Sequence, residues 1–421
     1  MTSRYKAYPE YRSSGVFWLD KVPSHWIVNK VKRLTNFQVG WTPSTGNDEN
    51  FVGDNLWANI SDLKEKYLHQ TAKNISDEAA RLASMDITPK GSLLYSFKLS
   101  VGSVSFAQQD MYTNEAIASF LSSSQLPLEY LYYSLPIFVI QNASTNIYGA
   151  RILNQELIKN AFLLEPSYKE AEKIANFLDH ETAKIDTLIV KQEKLIGLLK
   201  EKRQAVIYQA VTKGISYEGQ HDVPMKHSGV EWLGEVPKHW GVGRLKNVLR
   251  IRNGKDYKHV EVESGGYPVY GSGGIFKRSS EYLFDGESVL FGRKGTIDKP
   301  LVVKGKFWTV DTMFYSELHK HTDAQYIHSQ STLFPFGLLS TNTALPSMTQ
   351  EDLLELGFAI PPHEEQLAIS EAVSSYNRKF SHIIEKAAKQ INLMKERKTA
   401  LISAAVTGKI DVRDWNVVAN S

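Results

Sequence analysis

The sequence predicts an α+β protein made as a tandem repeat, with two mixed α/β domains joined by two long antiparallel helices and related by a pseudo-two-fold axis. Three observations carry this. The segment Trp18-Leu19-Asp20-Lys21-Val22-Pro23-Ser24-His25-Trp26 returns as Trp232-Leu233-Gly234-Glu235-Val236-Pro237-Lys238-His239-Trp240, at an offset of 214. The run Lys200–Thr212 returns as Lys395–Thr407, at an offset of 195. Each half closes on apolar residues at heptad spacing. Internal repeats of this length outrank other signals when a fold is read. The two offsets differ, so the interior of the first copy is 19 residues longer and the two frames enclose unlike contents.

Taken in chain order, each copy opens on the aromatic, turn-forming Trp-Leu-x-x-Val-Pro-x-His-Trp segment. Short β-type runs follow, Gly91–Phe97 in the first copy and Gly286–Gly292 in the second, aligned at the 195 offset. The 19-residue difference therefore arises upstream, between about 41 and 90. Leu301–Val303 and Phe307–Val310 read as two further strands, and frequent Gly, Asn and Ser mark turns between such runs. Helices then begin near Pro166 and Pro361, where a missing N–H is tolerated, with Glu170, Glu364 and Glu365 in first turns. In the first helix Leu178, Ile185, Leu199 and Val206 form a seam, with Ile174, Leu188 and Leu195 beside it, and Ile189, Ile196, Ile384 and Ile391 widen the stripe on the two helices. In the second, Val373, Phe380, Met394 and Leu401 form the matching seam, with Ile383 beside it. Such faces must be buried, and each helix is the natural partner of the other. A polar linker around Gly214 to His227 separates the halves. The boundaries expected are a domain over 1–165, a helix over 166–213, linker and second domain over 214–360, and a final helix over 361–412. About 45 helical residues make a rod of roughly 65 Å.

Composition narrows the class. The chain of 421 residues is 42% hydrophobic and carries a net charge of +3. It has no cysteine, which excludes disulfides and thiolate metal sites and points to a reducing, cytoplasmic setting. No apolar run approaches a membrane span or a secretory leader, so no membrane partner is expected. Between Arg250 and Lys306 basic residues outnumber acidic ones and tyrosines are interleaved. Such a stretch suits phosphate and base contacts, and suits a solvated surface equally.

Catalytic tools are missing. Glu165-Pro166-Ser167-Tyr168 is the nearest approach to a methyltransferase motif, but its repeat partner is Ile360-Pro361-Pro362-His363 and both sit at helix starts. Gly271-Ser272-Gly273-Gly274 lacks the third glycine of a dinucleotide loop, and Gly292-Arg293-Lys294-Gly295-Thr296 lacks phosphate-loop spacing. His363-Glu364-Glu365 has no second histidine at zincin spacing, so no metal site is expected. His25 and His239 read as structural hydrogen-bonding residues. The chain reads as a binder that is not an enzyme and holds no cofactor of its own.

The repeated opening segment, the Gly286–Thr296 run and the two closing Ala-Val-Thr helices, in this order, resemble the specificity (S) subunits of type I restriction–modification systems, the HsdS family, over about residues 13 to 409. The resemblance implies two target recognition domains, each reading one half of a split, asymmetric double-stranded DNA site. The helical spacers would set the distance between half-sites and dock two methylation (M) subunits. S-adenosylmethionine would then lie on the M subunits, with ATP and Mg on joining restriction (R) subunits. Unlike interiors imply unlike half-sites. Lys98 aligns with Arg293 just after the shared strand, and these two lead the candidate DNA contacts. Tyr95, Ser96 and Arg151 join them in the first domain; Lys255, Tyr257, Lys277, Lys294, Thr296 and Lys299 join in the second. The copies depart from each other where Lys98-Leu99-Ser100-Val101-Gly102 stands opposite Arg293-Lys294-Gly295-Thr296. Two other readings stay open on the residues alone: a fused enzyme, and a coiled-coil scaffold whose end domains bind protein or another polymer.

Overall fold

The computed structural model describes residues 5–82, 86–145, 151–215, 223–339 and 346–416. They form two compact units, Met1–Lys191 with Gln390–Ser421, and Gln192–Lys389. Part of the expected linker, 216–222, lies outside the described residues.

Unit 1 is built on a five-stranded sheet in the order Phe37–Val39, Ile117–Phe120, Leu93–Ser96, Val104–Ala107, Tyr67–Leu68. All pairs are antiparallel except the last. Leu93, Leu94, Tyr95 and Ser96 are all buried, because one face of this central strand meets the helix Leu128–Phe138 and the other meets the core around Leu63 and Ile117. Unit 2 repeats the frame with Leu249–Asn253, Met313–Leu318, Phe284–Gly292, Leu301–Thr309 and Tyr267–Gly271 in the same order. It then adds Gly274–Ser279 and Glu261–Val262 at the far edge. The interiors thus differ outside the shared strands, in the region upstream of Gly91 and Gly286. Leu301–Val303 and Phe307–Val310, read as separate strands, belong to one continuous strand, Leu301–Thr309. The polar Lys304-Gly305-Lys306 between them keeps its cross-strand partners Glu287, Gly286 and Asp285, so pairing survives the break in hydrophobicity.

The opening segments fold alike. Tyr11–Val16 and Leu19–Pro23 form a hairpin in unit 1, and Met225–His227 pairs with Glu235–Pro237 in unit 2. Each segment ends on a fully buried tryptophan, Trp26 or Trp240, that packs over the glycine just past a long helix. A Cβ on Gly408 would meet Pro23 at 2.3 Å and Trp26 at 3.3 Å, and one on Gly214 would meet Trp240 at 3.4 Å. Both glycines are left-handed, φ +74° and +80°, as a helix end requires.

The long helices are Tyr168–Lys213 and His363–Val406. Within unit 1 Asp186 pairs with Lys398 at 2.7 Å, while Lys173, more than three helical turns earlier, donates to the Arg413 carbonyl beyond the other helix's end. The helices therefore run antiparallel there. In unit 2 the guanidinium of Arg203 donates to Asn377 at 2.7 Å. Of the expected seam, Leu178, Ile185, Val373 and Leu401 are buried, and Leu199, Val206, Phe380 and Met394 are half-buried. Leu188, Leu195 and Ile383 are exposed and do not pack between helices. Ile189 and Ile391, expected to widen the stripe, are buried. One residue is about 100° of helix rotation, so the true seam follows 178, 185 and 189 and leaves 188 and 195 facing out. No described helix is long and apolar enough to cross a membrane.

Candidate nucleic-acid interface

In unit 2 three chain segments meet at one edge of the sheet. The Lys255 amide donates to the Thr309 carbonyl, Gly254 to Met313 and Arg293 to Thr312, at 2.9, 3.0 and 2.8 Å. Close approach explains two glycines: a Cβ on Gly254 would lie 2.0 Å from the Val310 oxygen, and one on Gly292 would lie 2.1 Å from the Thr296 oxygen. The 293–296 loop is held from its other side by Gly295 N–H to Pro346 O and Met348 N–H to Arg293 O. Lys255, Lys294, Thr296 and Lys299 are exposed on these segments and Arg293 is half-exposed over the Phe314 ring. Tyr257 is half-buried, its ring edge-on to Phe276 at 5.4 Å. Lys277 stands apart on the strand Gly274–Ser279, its ammonium 2.5 Å from the Glu261 carboxylate. That contact raises its pKa, so the lysine stays charged and is already paired with a carboxylate.

Unit 1 reproduces the scaffold with other side chains. Trp41 N–H donates to Thr113 O as Lys255 does to Thr309 O, and the Trp57 indole donates to Trp41 O as the Trp308 indole does to Lys255 O. Gly40 takes the place of Gly254, pressed on the Thr113 carbonyl. Phe97 N–H to Ala116 O brings in the 97–102 loop. The edge of unit 1 is thus Trp41, Thr42, Lys98, Leu99 and Glu115. Burial alone would raise the Glu115 carboxyl; hydrogen bonds from the Thr42 hydroxyl and its own backbone amide, with the charge of Lys98, more than offset this and hold it below the usual carboxylate range. Arg151 is exposed on the two-residue strand Arg151–Ile152.

Tyr95 and Ser96 are corrections. Both are fully buried and offer no atom to a ligand. Strand alternation alone would turn one of them outward, but this strand is covered on both faces. The Tyr95 ring packs edge-on against Phe120, burial drives its phenol up, and Ser96 donates its hydroxyl to the Lys98 carbonyl at 3.1 Å. Conversely, Trp41 and Leu99 lie on this edge although neither is among the expected DNA contacts. The 214 offset that aligns the opening segments also places Trp41 opposite Lys255, so that signal was present. A cleft of about 810 Å³ elsewhere in unit 1 is lined by Tyr132, Tyr133, Asp179, Asp186 and Lys398. Lys66 is paired with Asp179 and Lys398 with Asp186, and the third lining lysine, Lys64, is balanced in number by Glu65, so the lining carries no net positive charge for phosphate.

The description "Type I restriction modification DNA specificity domain" belongs to the family profile that matches residues 23–196 and 237–393. The MjaIX type I restriction enzyme specificity subunit of Methanocaldococcus jannaschii is 25% identical, over 94% of this chain and 96% of its own length. The EcoprrI specificity subunit of Escherichia coli is 20% identical, over 87% and 91%. Among solved structures, a chain from work on complex assembly and conformational transition of the type I R-M system superposes with a TM-score of 0.72, covering 92% of this chain and 99% of its own at 12% identity. The HsdS subunit from Thermoanaerobacter tengcongensis superposes at 0.55, covering 92% and 98%, also at 12% identity. These two likenesses are of fold.

Proposed function

As this chain belongs to the type I restriction–modification DNA specificity family, we propose that it is the sequence-reading, non-catalytic subunit of such a complex and that its two sheet edges read the two halves of a split DNA site. The observation that carries this is one scaffold edge, repeated with opposite chemistry. The edge of unit 2 presents Lys255, Arg293, Lys294 and Lys299, whereas that of unit 1 sets Trp41 and Leu99 beside a single lysine, Lys98, and the carboxylate of Glu115. Unlike readers on like frames suit an asymmetric site, with lysines and arginines on phosphates and other side chains at base edges. Lys98 and Arg151 in the first domain (1–165), and Lys255, Tyr257, Arg293, Lys294, Thr296 and Lys299 in the second (214–360), are the contacts assigned. Lys277 has a smaller part because it is already paired with Glu261.

The helices of 166–213 and 361–412 would dock the methylation subunits. Each unit leaves apolar helical side chains in solvent that suit such partners: Leu188, Val190 and Leu393 in unit 1, and Leu195, Leu198, Tyr376 and Ile383 in unit 2. Exposed apolar side chains on these helices suit contact with partner chains. With such side chains in each unit, two methylation subunits would dock and would hold S-adenosylmethionine, with ATP and Mg confined to restriction subunits, all acting in the cytoplasm. The test is coexpression with the methylation subunit followed by sequencing of N6-methyladenine in host DNA. A split motif that changes in one half when residues 41–153 are exchanged for those of a relative supports the reading. Methylation that is indifferent to deletion of this chain overturns it.

A further inference from the structure

We propose that Leu99 is a specificity-determining residue of unit 1, reading its half-site through apolar contact with a thymine methyl group. This inference rests on the DNA-reading function proposed above. Leu99 is 91% exposed, so it contributes nothing to the core. It also adopts φ +56°, a left-handed conformation that is a genuine outlier for a bulky side chain. A residue both strained and unpacked is held there by its surroundings, and such strain gathers at binding sites.

The bracing is visible. Gly102 N–H donates to Ser96 O and Ser96 N–H to Ser103 O, both at 2.9 Å; Val101 N–H donates to Leu99 O at 2.8 Å. The buried Ser96 hydroxyl holds the Lys98 carbonyl from below. The loop is anchored to the central strand on both sides and presents Lys98, Leu99 and Ser100 to solvent. The register that sets Lys98 opposite Arg293 places Leu99 opposite Lys294, which is not left-handed, and Ser100 opposite Gly295 at φ +84°. The left-handed leucine is therefore particular to unit 1, and a side chain so exposed is not required by the packing. His321 is the other non-glycine residue with positive φ among those described, and it differs in kind: histidine is enriched in the left-handed region, where a bulky leucine is an outlier, and its ring packs on His363 at 5.9 Å. Charge favours nucleic acid as the occupant, since Lys98 precedes Leu99 and the matching loop carries Arg293 and Lys294. Apolar side chains discriminate thymine by its C5-methyl group in the major groove.

The experiment uses the full chain in complex with its methylation subunits, comparing wild type with Leu99→Gly and Leu99→Asn, two residues at home in the left-handed region. Neither variant is expected to lower Tm. Both are expected to degrade the half-site assigned to residues 41–153, with roughly a tenfold loss of preference at one base pair, and to leave the other half intact. In oligonucleotides, deoxyuridine in place of the thymine at that pair should weaken wild-type binding about fourfold, the worth of one methyl group, and leave Leu99→Gly unchanged. An unaltered motif in both variants overturns the inference, as does a deoxyuridine effect that persists without Leu99, or a fall in Tm for both variants. A wild-type complex that reads no split motif removes the DNA reading itself, an outcome distinct from these.

Discussion

Glu170 ties the end of the repeated opening segment of unit 1, together with Tyr8 upstream of it, onto one carboxylate. It accepts from the Tyr8 hydroxyl at 2.7 Å, the Trp26 indole at 3.0 Å and the His25 ring at 3.0 Å. In unit 2 Glu365 accepts from His239 at 2.7 Å and from the Trp240 indole at 2.8 Å. The two differ in exposure, 5% for the Glu170 side chain and 41% for Glu365. Removing a buried acceptor strands its donors, so Glu170→Ala should cost about 3 kcal/mol. Glu365→Ala, where the carboxylate and its His239 donor already face water and only the Trp240 indole is buried, should cost less, about 1 kcal/mol. Denaturant midpoints of the two variants check this asymmetry. A second residue carries a pH dependence. His328 is held below the ordinary histidine pKa by burial, against a hydrogen bond to the Pro300 carbonyl that raises it. Its Nε2–H donates to that carbonyl at 3.1 Å and its Nδ1 faces the Gln325 amide at 3.3 Å, so the neutral ring satisfies both neighbours. The unfolded chain then binds the proton more readily than the folded one. This contribution to stability is present above the unfolded pKa near 6.5 and is lost as pH falls through that value toward the lower folded one. Tm should drop between pH 7 and pH 5, and by less in His328→Gln.

Among the elements, the long helices separate two kinds of apolar residue that the heptad pattern does not distinguish. Leu178 is fully buried, whereas Leu195 lies in solvent one helical step from the seam. Leu178→Ala should cost about 3 kcal/mol through a lost side chain and the cavity left behind. Leu195→Ala should stay within about 0.5 kcal/mol. Thermal melts of the isolated chain measure both, and titration of the methylation subunit then asks the second question. If Leu195 belongs to a docking surface, its alanine variant binds that subunit more weakly while melting like wild type. The sheets make a related point. Five strands keep the same order in both units, and the additions of unit 2 fall at the far edge, where a strand can join without repacking the core.

For the whole molecule, the division into units does not follow the order of the chain. Unit 1 takes in the end of the sequence as well as its beginning. The Asp411 amide donates to Lys6 O, the Tyr11 hydroxyl donates to Gly408 O, and Trp415 packs edge-on against Phe177 at 5.5 Å. A stop codon after Val406 should therefore loosen unit 1 and spare unit 2. Hydrogen exchange reads this out: amides of Leu93–Ser96 should lose protection, while those of Phe284–Gly292 should keep it. Equal loss in both sheets would show that the two units unfold as one.

The amino-acid sequence by itself determined that the fold is a repeat, that each copy ends in a long amphipathic helix, and that the interiors diverge upstream of one shared strand. Those features are written in offsets and periods, which need no knowledge of what packs on what. It also contained the alignment of Lys98 with Arg293, because the closing repeats carry one register through both copies. Tertiary structure alone decided which faces are covered. Tyr95 and Ser96 are buried because a helix and a second core layer close over both sides of their strand. Leu188 and Leu195 are exposed because the partner helix sits one step around. Glu170 and Glu365, which read as acids favouring a helix N-terminus, are acceptors for an indole and an imidazole some 125 or more residues away in sequence. Burial and long-range hydrogen bonding depend on the neighbours that folding brings, and a local pattern does not specify them. The strain at Leu99 belongs with these, since a backbone angle is set by the hydrogen bonds around a loop and leaves no mark in composition.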